Sequence, residues 1–125
     1  MSKPINVIVI NPFEQTTTEV TISNSESINE FTKIMDCRVF DVVRLGTNVI
    51  MYVDDEGLLI NENRYFKLGD DPDAYAYAGI SIVACDDNFG GTISFDRDMS
   101  TIEELVTWMP EGYSEEPYME FFPMH

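Results

Sequence analysis

Histidine is almost missing from this chain: its one copy is the final residue, His125. A Ser-His-Asp or Cys-His device therefore has no positioned imidazole base, although a carboxylate can serve in that place. Basic residues are scarce as well. Seven Lys and Arg stand against 23 Asp and Glu, a formal charge of −16. That balance opposes attraction to nucleic-acid phosphate or to an anionic membrane and makes a basic partner the natural one. The two cysteines, Cys37 and Cys85, have no CxxC spacing and are too few for a disulfide framework. Each reads as a small buried hydrophobe in a reduced compartment. No long apolar run occurs: Ile5 to Ile10 spans six residues, too short for a signal segment or a membrane span. The expectation is an intracellular, soluble protein, with Met1 and His125 as the ends of a complete small gene product. Neither GxxxxGK nor GxGxxG is present, so no phosphate cradle can be identified. No cofactor is expected.

What is present suffices for one compact domain. The 125 residues are 44% apolar and 12% aromatic, enough to bury a core without staples. Ile5-Asn6-Val7-Ile8-Val9-Ile10, ending at Asn11-Pro12, reads as a strand covered on both faces and central in a sheet. Thr16 to Ser23 alternates, with Thr18, Val20 and Ile22 on one side and Thr17, Glu19 and Thr21 on the other. This is the pattern of a half-exposed hairpin partner. Ser27-Ile28-Asn29-Glu30 fits a capping box, opening a short helix along Ile28, Phe31 and Met35. Val39 to Leu45 and Val49 to Val53 flank Gly46-Thr47-Asn48 as a hairpin, and Leu58-Leu59-Ile60 resumes the second run after Asp54-Asp55-Glu56-Gly57. From Asn61 to Ala78 no period survives, and Gly69 to Asp73 signals a mobile loop. Ile80 to Cys85 and Thr92 to Phe95 form a further hairpin candidate. A second capping box, Ser100 to Glu103, opens a helix with Ile102, Leu105, Val106 and Met109 on its core stripe, ended by Pro110 and anchored by Trp108.

The predicted fold is α+β: a mainly antiparallel sheet of five or six strands with two short helices packed on one face, over residues 1–109. Residues 110–125 form an acidic, aromatic-rich C-terminal tail. It either covers a sheet face or edge or docks elsewhere.

Three acidic clusters invite a metal reading: Asp54-Asp55-Glu56, Asp70-Asp71-Asp73 and Asp86-Asp87. An EF-hand loop starting at Asp86 would put Arg97 where its bidentate Glu must stand. That motif fails; the other two clusters read as turns, where Asp side chains bond the local backbone, and no metal site is expected.

The largest anomaly is the charge. After Arg97 no Lys or Arg occurs, while Asp98, Glu103, Glu104, Glu111, Glu115, Glu116 and Glu120 accumulate. One reading is solubility alone. The sharper one is a surface that presents carboxylates where DNA presents phosphates, occupying the groove of a basic nucleic-acid-binding protein. The residues expected to bind such a partner are Glu103, Glu104, Glu111, Glu115, Glu116 and Glu120, with Tyr118, Phe121 and Phe122 of the tail. Asp70, Asp71 and Asp73 form a second acidic surface.

Val53-Asp54-Asp55-Glu56-Gly57-Leu58, then Asn61-Glu62-Asn63, Gly79-Ile80-Ser81-Ile82-Val83 and a helix opening at Ser100 together carry a family likeness. The chain resembles a family of small uncharacterised acidic proteins encoded by bacteriophages, plasmids and integrative elements, over residues 5 to 109. The resemblance implies a mobile element acting inside a bacterial cell and transfers no site residues. Small acidic proteins of such elements often inhibit restriction, CRISPR or other host machinery, which adds weight to nucleic-acid mimicry by analogy. The leading expectation is thus a non-catalytic inhibitor that binds a basic host protein, not nucleic acid or membrane. The alternative is an accessory or structural domain whose acidity serves solubility and whose tail mediates self-association. An enzyme stands third.

Overall fold

A computed structural model describes residues 4–22, 28–37, 40–54, 64–69, 76–87 and 91–110. Strand β1 (Ile5–Asn11) pairs antiparallel with β2 (Thr16–Ile22) through seven consecutive residue pairs, Ile5↔Ile22 to Asn11↔Thr16. Helix α1 covers Ile28–Met35; β3 (Phe40–Gly46) and β4 (Val49–Asp54) follow as a hairpin. Two short strands, β5 (Tyr65–Leu68) and β6 (Tyr77–Ala78), precede β7 (Ser81–Asp86) and β8 (Thr92–Ile93). Helix α2 is Met99–Glu103 and β9 is Val106–Trp108. The main sheet runs β2-β1-β7-β4-β3, with β8 on β7; a second sheet runs β6-β5-β9.

The α+β class with a mainly antiparallel sheet is as expected, and β1 is interior. Its alternation sends Val7 and Val9 to one face and Ile8 and Ile10 to the other, all buried. On the first face they meet Ile50, Tyr52, Ile82 and the α1 residues Phe31 and Met35. Phe31 stacks on Tyr52 with ring centroids 4.7 Å apart, and Phe40 lies edge-on to both. On the second face Val49, Met51, Val83 and Cys85 pack with Phe66 of β5, Phe95 and Ile102 of α2.

The two helices therefore sit on opposite faces of the main sheet, which corrects the expectation that they share one. With both faces of β1 and β7 apolar, each face needs its own cover. Helix α1 supplies one, and α2 with the second sheet supplies the other.

The second helix is also shorter than its stripe suggests. Its N-cap is Asp98, with extended backbone and no side-chain cap, and the helix ends at Glu103. Leu105, expected in the core, is 42% exposed in the turn that follows. Val106, Thr107 and Trp108 are β-formers that pair with Leu68, Lys67 and Phe66. The bonds from Gly69 N to Leu105 O and from Met109 N to Tyr65 O close the two ends of that ladder. Trp108 does serve as an apolar anchor, edge-on to Phe66, but from a strand.

The stretch expected to lack regular structure, Asn61 to Ala78, contains β5 and β6, with Phe66 fully buried. The Ser27 cap, Leu58-Leu59-Ile60 and the Asp70–Asp73 loop lie outside the described residues. No described helix is long and apolar enough to cross a membrane.

Candidate protein-interaction face

The outer strand β2 and the segment 95–104 together hold the acidic surface. The β1–β2 turn is locked by Asn11, whose Oδ1 accepts the backbone N–H of Phe13 and of Glu14. Gln15 takes the left-handed conformation (φ 57°) that returns the chain. Along β2, Thr17, Glu19 and Thr21 share the sheet face that carries Ile8 and Ile10, since they pair with Ile10, Ile8 and Asn6.

The segment from Phe95 to Glu103 runs over that same face. At its start Phe95 N donates to Asn6 O, and Ser94 Oγ accepts from Asn6 N. At its end Thr17 Oγ1 donates to Glu103 Oε2 at 3.2 Å. Because Thr17 pairs with Ile10, the segment follows β1 from Asn6 to Ile10, about 13 Å by strand rise. Ile102, 3% exposed, pins α2 to the sheet. Turned away from Ile102, Glu103 at the end of α2 and its C-cap residue Glu104 are exposed.

Six exposed carboxylates thus lie on the β1–β2 hairpin and along segment 95–104: Glu14, Glu19, Asp96, Asp98, Glu103 and Glu104, of which Glu103 is the one bonded to β2. One base, Arg97, interrupts them, 3.7 Å from Asp96. Asp96 Oδ1 also accepts the Cys85 Sγ–H at 3.5 Å, and burial pushes the Cys85 thiol up from its ordinary value. Cys85 thus packs as a buried thiol outside any disulfide, as expected, whereas Cys37, also outside any disulfide, is half-buried and not the buried hydrophobe the sequence suggests.

Of the residues expected to bind a partner, Glu103 and Glu104 are exposed as foreseen. Glu111, Glu115, Glu116, Glu120, Tyr118, Phe121, Phe122, Asp70, Asp71 and Asp73 lie outside the described residues. Asp98 opens the acidic run after Arg97 that the sequence points to, whereas Glu14, Glu19 and Asp96 stand outside that run. Glu19 was recoverable from the alternation of β2, but its neighbourhood with α2 depends on a contact between residues 86 apart.

Asp86 and Asp87 instead have structural partners. Asp87 Oδ1 accepts the Gly91 N–H at 2.9 Å and Asp87 N donates to Gly91 O, a turn role for this side chain. Asp86 Oδ2 accepts from Arg44 at 2.6 Å. Among the described residues no three His, Cys, Asp or Glu side chains group as metal ligands.

A family model described as a domain of unknown function matches residues 5–107. No curated protein and no solved structure matches the chain.

Proposed function

This chain belongs to that family, DUF3846, and we propose that it is a non-catalytic interaction protein whose acidic flank binds a basic, nucleic-acid-binding protein in place of nucleic acid. The observation that carries this reading is the flank itself: six exposed carboxylates beside β2 and along 95–104, with Arg97 the one base among them. The two ends of that row are tied to the sheet by the Asn6–Phe95 and Thr17–Glu103 bonds. Charges held on a rigid scaffold bind without first being ordered, so long-range attraction turns into fast association. The chain-wide charge of −16 adds to that field.

The resemblance to small acidic proteins of bacteriophages, plasmids and integrative elements supplies the setting. There the protein acts in the cytoplasm of a bacterial host and blocks a defence or nucleic-acid-processing factor. Helix α2 and the acids beyond it, Glu111, Glu115, Glu116 and Glu120, extend the same sign of charge.

Capture of partners from bacterial lysate at low and at high salt tests this reading. Basic nucleic-acid-binding proteins retained at low salt and released at high salt are expected. The variant with Glu103, Glu104, Glu115 and Glu116 changed to Gln should fold normally and associate more slowly with whatever is captured. Equal association by this variant at low salt would reduce the acids to a solubilising surface.

A further inference from the structure

The two outer strands of the main sheet differ in how they are finished. Strand β3 carries a register shift between Arg44 and Gly46, and Asp41 and Arg44 are exposed along it. Bulges, glycine and outward charges are the ordinary devices that stop an edge from pairing with another chain. Strand β2 has none of the backbone devices. Its register with β1 is unbroken over seven pairs, it contains neither Gly nor Pro nor Lys, and Glu19 is its one charge. Among the described residues no strand pairs with its outer edge.

The side chains on either face of that edge define what can add to it. On the α1 face stand Thr18, the half-buried Val20 and Ile22, which pair with Val9, Val7 and Ile5 of the core. On the α2 face stand Thr17, Glu19 and Thr21, with the Glu103 carboxylate held at Thr17. An added strand alternates its side chains between the two faces. Its residues on one face meet Thr18, Val20 and Ile22, and those on the other meet Glu19 and the Glu103 carboxylate, set among Thr17 and Thr21.

We propose that the β2 edge is a docking site for an extended basic segment of a partner protein, one that alternates Lys or Arg with β-branched residues and joins the main sheet as an additional antiparallel strand. This rests on the acidic-flank reading above and names where the partner is held. Main-chain hydrogen bonds to β2 supply affinity, and the alternation supplies specificity. A second copy of this chain is the poorer occupant, because self-pairing through β2 sets two acidic flanks side by side.

The test uses the full chain and a defined probe, a nonapeptide of alternating lysine and valine. Its controls are the same peptide N-methylated at alternate residues, which keeps the charge and cannot pair as a strand, and a glutamate–valine peptide. Amide exchange and chemical shifts of residues 16–22 are followed by NMR during titration. The expected result is slowed exchange at alternate β2 amides with the lysine peptide, at least tenfold weaker binding of the N-methylated peptide and no binding of the glutamate peptide. Glu19→Lys should lose binding while its free spectrum stays that of a folded chain. Equal binding of the N-methylated peptide would overturn strand addition and leave the acidic-flank reading standing. No binding of the lysine peptide, or β2 amides already protected in a dimer of the free chain, would overturn it as well.

Discussion

At the scale of single residues, Ile102 and Leu105 carry opposite expectations although both lie on the stripe read from the sequence. Ile102 is buried between α2 and the main sheet, whereas Leu105 is 42% exposed. Ile102→Ala should cost about 2–5 kcal/mol through the cavity it leaves. Leu105→Asp should change stability by no more than about 0.5 kcal/mol, as surface substitutions do. Urea midpoints of the two variants check the pair, and equal losses would mean that α2 is misplaced. Arg44 is a second case. Its guanidinium holds Asp86 Oδ2 while Oδ1 is buried without a partner, and the Asp86 side chain is only 13% exposed. Arg44→Ala strands that carboxylate and should cost about 1–3 kcal/mol, measured by thermal or urea unfolding. The buried Cys85 thiol predicts a pH effect. Burial raises its folded value, so well below about pH 8.5 the thiol is protonated in both states and contributes no slope. Above that pH the unfolded chain ionises first, and stability falls as pH climbs towards the raised folded value. Tyr77, also raised by burial, adds a further loss at higher pH. Urea titrations from pH 7 upward should show this decline, and Cys85→Ala should remove its first part.

At the scale of elements, β1 was legible because Ile5 to Ile10 places apolar side chains on both faces, a pattern that only a doubly covered strand explains. The hairpins were legible from their turns: Asn48 takes a left-handed φ of 64°, the conformation that a Gly-Thr-Asn turn announces. Segment 105–109 was not legible. Ile102, Val106 and Met109 satisfy a helical spacing, and Val106-Thr107-Trp108 satisfies a strand equally well; the pairing with β5 decides between them. Strands β5 and β6, of four and two residues, are too short to show a period. The face on which each helix docks depends on topology, which local pattern does not encode. The same limit applies to the candidate site. Exposure of Glu103 and Glu104 followed from the stripe, but their union with Glu19 required the Thr17–Glu103 contact. The β9 assignment predicts strand-like carbon chemical shifts at residues 106–108 and slow exchange of the Met109 amide, which donates to Tyr65 O. Helical shifts there would restore the longer helix.

At the scale of the whole molecule, three layers hold a charged flank in fixed geometry. Helix α1 covers one face of the main sheet, and the second sheet with α2 covers the other. Residues 95–103 are both core cover, through Phe95 and Ile102, and acidic surface, through Asp96, Asp98 and Glu103. Packing therefore sets the positions of the charges. Neutralising them should leave the core intact while changing recognition. Mimicry of nucleic acid makes the strictest demand on this arrangement, because partner and DNA must then compete for one surface. The direct measurement is displacement of a labelled DNA duplex from a captured basic partner by increasing amounts of this protein at low salt. The wild-type chain should release the DNA, with release weakened by salt and by the Gln substitutions at Glu103, Glu104, Glu115 and Glu116. A ternary complex in which DNA stays bound at saturating protein would contradict the account.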